Sequence, residues 1–213
     1  MNLIPDYPST TELFFDYVQN TPQHVFAKFN GRELTAKELH DSVQDTVRQL
    51  RDLGIESGDR VAYMLDNNLD LIVLIFSLML IGSIQIPINT KLRNDSLKFI
   101  VSHCEAKLIL AEKSYQSILT PFVSPQLADK LIYRHSQYSF QWHNPKHGCS
   151  TVVVKNEALG ADDVQFILYT SGTTGEPKGV LVTDRMLRAA ADACAQTSSA
   201  SANDRFLLWE PLF

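Results

Sequence analysis

The hydrophobic positions of this chain change period along its length, and the changes mark out alternating strands and helices. Over 36–53, Leu39, Val43, Val47, Leu50 and Leu53 recur on one helical face. Thr35 with Glu38 three residues later has the form of a capping box, and Gly54 supplies the stop. Upstream, the runs 25–29 and 33–34 flank Asn30-Gly31, which predicts a tight hairpin. Downstream, 60–65 reads as a strand, 69–81 as a buried helix ending at Gly82, and 84–88 as a second strand. Residues 95–103 read as a helix capped by Asn94, 107–111 as a strand, 114–119 as a short helix and 130–134 as a fourth strand. Strands alternating with helices at these lengths predict an α/β fold, a mostly parallel sheet with helices on both faces.

From 135 to 163 the pattern lapses. This stretch is polar, rich in His, Ser, Gln and Asn, with one strand-like run at 152–154, and it reads as a surface excursion. Regular alternation resumes in 164–169 and 180–182, and Thr183 is placed to cap a following helix. The segment joining those two strands, Thr170-Ser-Gly-Thr-Thr-Gly-Glu-Pro-Lys-Gly179, carries the most chemistry. Gly172, Gly175 and Gly179 allow positive φ and close approach of another molecule. Thr170, Ser171, Thr173 and Thr174 supply hydroxyl donors, and Lys178 adds one compact positive charge. Successive backbone N–H groups can form an anion-binding nest. Donors and one cation, without a nucleophile–base pair, suit a polyphosphate. The spelling is not the usual P-loop, because Pro177 stands where the second glycine belongs and Gly179 follows Lys178. A plain hairpin turn is the competing reading, but it needs only about two to five residues.

Composition narrows the function classes. The 213 residues are 45% hydrophobic and 20% charged, as in a soluble globular protein. Lys and Arg total 19 and Asp and Glu 24, a net charge of −5, which disfavours generic nucleic-acid binding. The most apolar run, 71–84, is interrupted by Ser77 and Gly82 and falls short of the roughly 20 residues of a membrane span. Three cysteines, Cys104, Cys149 and Cys194, do not form a disulfide framework, and the N-terminus lacks a signal-peptide design, so a cytoplasmic location is expected.

The 170–179 loop resembles the signature loop of the adenylate-forming superfamily, which includes acyl- and aryl-CoA ligases, peptide-synthetase adenylation domains and firefly-type luciferases. The resemblance extends to Gly82-Ser-Ile-Gln-Ile-Pro-Ile-Asn89, to Leu53-Gly-Ile-Glu-Ser-Gly-Asp-Arg-Val61 and to Trp209-Glu-Pro-Leu-Phe213, and the overall look is nearest to carboxylate–CoA ligases. It implies that a carboxylic acid attacks Mg²⁺-bound ATP to give an acyl-adenylate, and that coenzyme A then displaces AMP. It also implies that Thr170, Ser171, Gly172, Thr173, Thr174 and Gly175 wrap the phosphates while Lys178 steadies them. Two departures stand out. Asp184 and Met186 occupy positions where relatives often carry His and Asn. Residues 1–213 also match only the first half of the family's large N-terminal domain. The adenine-binding segment, the magnesium-associated acid, the ribose-binding Asp and the C-terminal domain with its catalytic Lys are not among them. The chain alone is therefore expected to be inactive and to expose apolar surface, with self-association through that face as one consequence. A carrier-protein thiol as acceptor, and a non-catalytic ATP- or partner-binding protein, are the alternatives.

Other clusters read as structural. His143 and His147, with Cys149 and His135 near them, have a metal-like spacing, but Pro145 and Gly148 oppose a helix there. Asp66-Asn-Asn-Leu-Asp70 reads as a turn and helix cap, Lys91 and Arg93 as a solvated loop rather than a CoA contact, and His103 as a helix C-terminal residue interacting with the helix dipole.

Overall fold

The computed structural model describes residues 9–134, 160–170, 176–201, 204–208 and 212. An N-terminal helix, α1 (Thr10–Asn20), precedes a hairpin of β1 (Val25–Phe29) and β2 (Arg32–Thr35), with Asn30 and Gly31 both at positive φ in its turn. Next comes α2 (Ala36–Asp52), whose Thr35 and Glu38 close the expected capping box from both sides. Gly54, at φ +81°, ends it in the left-handed conformation that favours glycine.

Five strands then form a parallel sheet: β3 (Arg60–Met64), β4 (Ile84–Pro87), β5 (Leu108–Glu112), β6 (Leu131–Arg134) and β7 (Val164–Thr170). A sixth, β8 (Lys178–Thr183), runs antiparallel to β7 at the edge, and the spatial order is β6-β5-β3-β4-β7-β8. The connections are α3 (Leu69–Ile81), α4 (Asn94–His103), and the short helices α5 (Gln116–Leu119) and α6 (Pro125–Ala128) with 3₁₀ turns at Lys113–Tyr115 and Thr120–Phe122. After β8, α7 (Asp184–Thr197) completes the regular structure.

Alternation along the central strands separates two cores. Val61 and Tyr63 of β3 and Leu108 and Leu110 of β5 pack with α2 and α3. Ala62, Met64, Ile109 and Ala111 pack with α4 and the short helices on the opposite face. Burial on both faces is why these strands are almost wholly apolar rather than alternating. It is also why α3 is apolar nearly all round: Leu71, Leu74 and Leu78 are sealed between α2 and the sheet. This is the mostly parallel α/β sheet with helices on both faces that the hydrophobic pattern predicts.

Two local expectations are corrected. Asn94 does not cap α4. Arg93 occupies the N-cap, and Asn94 is the first helical residue at φ +52°. The Arg93 guanidinium instead donates to the carbonyls of Thr90 and Leu92 at 2.7 and 2.6 Å, and Asn tolerates the left-handed region better than most residues. α1 is not among the elements the hydrophobic pattern predicts. Its signals were local but short: Ser9 accepts from the Glu12 N–H at 3.2 Å, and Phe14, Phe15 and Val18 face the first core. The proposed strand at 152–154 lies outside the described residues.

Candidate functional site: the root of the β7–β8 hairpin

The 170–179 segment joins two antiparallel strands, as its flanks predict. The ladder pairs Tyr169 with Gly179 and Thr170 with Lys178. Directly opposed residues of an antiparallel pair project to the same face. The Thr170 hydroxyl and the Lys178 ammonium therefore share one side of the hairpin root, and both residues are exposed. The segment follows the carboxyl end of β7, which runs parallel to β4; ligands of open α/β sheets bind outside such strand ends. Ser171, Gly172, Thr173, Thr174 and Gly175 lie outside the described residues.

Gly179 answers a steric need. A Cβ there would sit 2.9 Å from Cγ2 of Ile167 and 3.6 Å from the Tyr169 ring.

β7 lies beside β4 in the parallel sheet. Gln85 of β4 stands opposite Phe166 of β7. Past that point Ile167 and Tyr169 pack on the α4 side. The Tyr169 hydroxyl lies 2.8 Å from Nδ1 of His103 in the last turn of α4, and the His103 ring stacks on Phe99 at 4.9 Å between centroids. Burial pushes the Tyr169 phenol up to about 12, so it stays protonated near neutrality. His103, expected only to face the helix dipole, thus has a tertiary partner beside the candidate loop. The two are 66 residues apart, and nothing in the sequence pairs them.

At the far end of the hairpin, Asp184 is buried. Its carboxylate accepts the Thr10 N–H at 3.1 Å and Nε of Arg188 at 2.9 Å. The residue that departs from the family pattern therefore ties α7 to α1. Met186, the other departure, is exposed. Leu168, Val180 and Leu181 of the hairpin and Phe206, Leu207 and Leu208 beyond α7 are also exposed, Leu207 at 88%.

Residues 14–213 match the family model described as AMP-binding enzyme. The chain belongs to that family. The chain is 30% identical over 183 residues to tyrocidine synthase 2 of Brevibacillus parabrevis, spanning 84% of itself and 5% of that protein. It is 28% identical over 193 residues to 2-succinylbenzoate–CoA ligase of Bacillus licheniformis, spanning 91% of itself and 38% of the ligase. The structure of O-succinylbenzoate coenzyme A synthetase from Bacillus subtilis, in complex with AMP, aligns with a TM-score of 0.78 at 22% identity. That alignment covers 93% of this chain and 49% of the other, and it bears on the fold. The chain spans less than half the length of each of these proteins.

The remaining candidates resolve as follows. His135, His143, His147 and Cys149 lie outside the described residues. Among the described residues no group of three or more His, Cys, Asp or Glu is placed to hold a metal ion. Asn68 caps α3 by accepting the Leu71 N–H at 2.8 Å, and Asp66 accepts from the Tyr115 hydroxyl at 2.6 Å, so 66–70 is a turn and cap. Arg93 is taken up by its own loop carbonyls, and the Lys91 N–H is turned in to Asn89. Among the described residues no helix is long and apolar enough to cross a membrane.

Proposed function

We propose that this chain is the N-terminal part of an AMP-forming acid–thiol ligase. A carboxylic acid attacks the α-phosphate of ATP, pyrophosphate leaves, and the acyl-adenylate forms. The thiolate of coenzyme A then attacks the acyl carbon and AMP leaves. The observation that carries this reading is the hairpin root, where Thr170 and Lys178 stand opposite each other at the carboxyl end of β7, in a member of the AMP-binding family. In it, Thr170, Ser171, Gly172, Thr173, Thr174 and Gly175 enclose the β- and γ-phosphates with N–H and hydroxyl donors, and Lys178 offsets their charge. Mg²⁺ arrives with ATP as part of the substrate.

The acceptor has a second reading. The identity with tyrocidine synthase 2 favours a carrier-protein thiol as much as the ligase identity favours coenzyme A. Supplying each thiol to the preformed adenylate and measuring AMP release separates the two. We further propose that exposed apolar residues, Leu168, Val180 and Leu181 of the hairpin and Phe206, Leu207 and Leu208, pack against the remainder of the parent enzyme, and that the 213-residue chain alone is inactive. Self-association is the other way to cover them. The free thiols of Cys104 and Cys194 support a cytoplasmic setting.

Pyrophosphate exchange into ATP by the full-length gene product tests the loop. Lys178→Ala and Thr173→Ala are each expected to lower exchange by about 10²- to 10³-fold, the scale of a lost charge-stabilising donor. Unchanged exchange in both overturns the phosphate role and leaves a non-catalytic binding protein as the reading to pursue.

A further inference from the structure

The hairpin that carries the candidate loop forms the antiparallel edge of the sheet, with β7 beside β4 and Gln85 opposite Phe166. Among the described residues, the side-chain hydrogen bond between the β7–β8 strands and a helix of the core is Tyr169 to His103. That bond falls one residue before Thr170, where the loop begins.

His103 is well placed to serve as a fixed point. It sits in the last turn of α4, which Leu97, Ile100 and Val101 anchor in the second core. Its ring lies nearly flat on Phe99, with 14° between planes, so stacking sets its orientation. The Tyr169 ring meets it edge-on at 88°, and the hydroxyl ends at Nδ1. The phenol O–H can donate to Nδ1 when the ring proton sits on Nε2. On the other side the Tyr169 ring lies within van der Waals reach of Gly179, its ladder partner. The ring is thus held between α4 and the return strand, and its backbone leads directly into Thr170.

We infer that His103 is a positioning residue for nucleotide binding: by holding the Tyr169 hydroxyl it sets where Thr170 and Lys178 stand relative to the core. The inference rests on the phosphate-binding reading of the hairpin. His103 touches no reacting group in this account; it acts through Tyr169. Its loss removes the contact that sets the end of β7 where Thr170 begins, so the cost falls on ATP binding and not on the acid.

The test is steady-state pyrophosphate exchange by the full-length gene product, with MgATP and the carboxylic acid varied separately. Tyr169→Phe removes one oxygen and keeps the ring beside Gly179. It is expected to raise the KM for MgATP by about two- to tenfold, the scale of one lost hydrogen bond, with the KM for the acid unchanged. His103→Phe keeps the stack on Phe99 and is expected to match it. The double variant is expected to be no worse than either single one, because both remove the same contact. His103→Gln, which can present an acceptor at similar reach, is expected to recover most of the loss. An unmoved KM for MgATP, additive losses in the double variant, or an equal rise in both KM values each overturns the inference. Lys178→Ala separates the two levels. If it and Thr173→Ala both leave exchange intact, the phosphate reading fails; if they lower exchange sharply while Tyr169→Phe changes nothing, only the positioning role fails.

Discussion

The centre of the sheet and its β7–β8 edge are built from different residues for different ends. In β3 and β5 nearly every side chain is buried, alternately against α2–α3 and against α4. In β7 and β8 the strands leave Leu168, Val180 and Leu181 in solvent and lead into glycines, hydroxyls and one lysine. The centre gains stability from apolar area removed from water, at about 25 cal/mol per Å². The edge instead leaves part of its apolar surface uncovered, and Thr170 and Lys178 stand exposed at its end. Connecting segments of this kind are mounted on a rigid body rather than built into it.

The most damaging way to break this arrangement is at the carboxyl ends of the central strands. Arg134, only 7% exposed, pairs with Asp70 and with Glu112, tying the edge strand β6 to β5 and to the first turn of α3. Arg134→Ala leaves two mostly buried carboxylates without their cation. It is expected to cost about 3–5 kcal/mol in chemical denaturation, and Arg134→Met much less when Asp70→Asn and Glu112→Gln accompany it. Burial holds both carboxyls above the ordinary carboxylate range, against the opposing pull of Arg134. As pH falls, the folded protein takes up these protons before the unfolded chain does. Their stabilising contribution is therefore complete below the ordinary range and is lost as pH rises through the raised values. Asp70→Asn should flatten that part of the stability–pH curve, measured by denaturation midpoints.

A smaller effect should separate the edge from the centre. Gly179→Ala places a Cβ 2.9 Å from Ile167 and is expected to cost about 1–3 kcal/mol, confined to the hairpin. Hydrogen exchange should quicken in β7 and β8 and stay unchanged in β3 and β5. Equal acceleration in both regions would show one cooperative unit and dissolve the contrast. The mildest test lies in the helical layer. Thr35→Ala removes the capping box of α2 and is expected to lower global stability by about 1 kcal/mol without altering hairpin exchange.

Much of this molecule was readable where the physical cause is local. The capping box at Thr35, the stops at Gly54 and Gly82, the Asn30-Gly31 turn and the α/β alternation each depend on residues within a few positions of one another. The strand–loop–strand context of Thr170 and Lys178 follows from the same short-range pattern. Asn94 misled because a good capping residue is also a residue that tolerates positive φ, and the tertiary setting of Arg93 selected the second use.

The sequence by itself determined the elements, the doubly covered sheet and the chemistry of the hairpin, because helix period, strand burial and turn residues act over short spans and leave their mark in the order of side chains. The tertiary structure alone decided that β7 meets the sheet at Gln85 and Phe166, that Asp184 binds α1, that Arg134 gathers Asp70 and Glu112, and that His103 takes the Tyr169 hydroxyl. These contacts join residues far apart in the chain. Each requires the packed sheet to exist before the partners can meet, so no local pattern announces them.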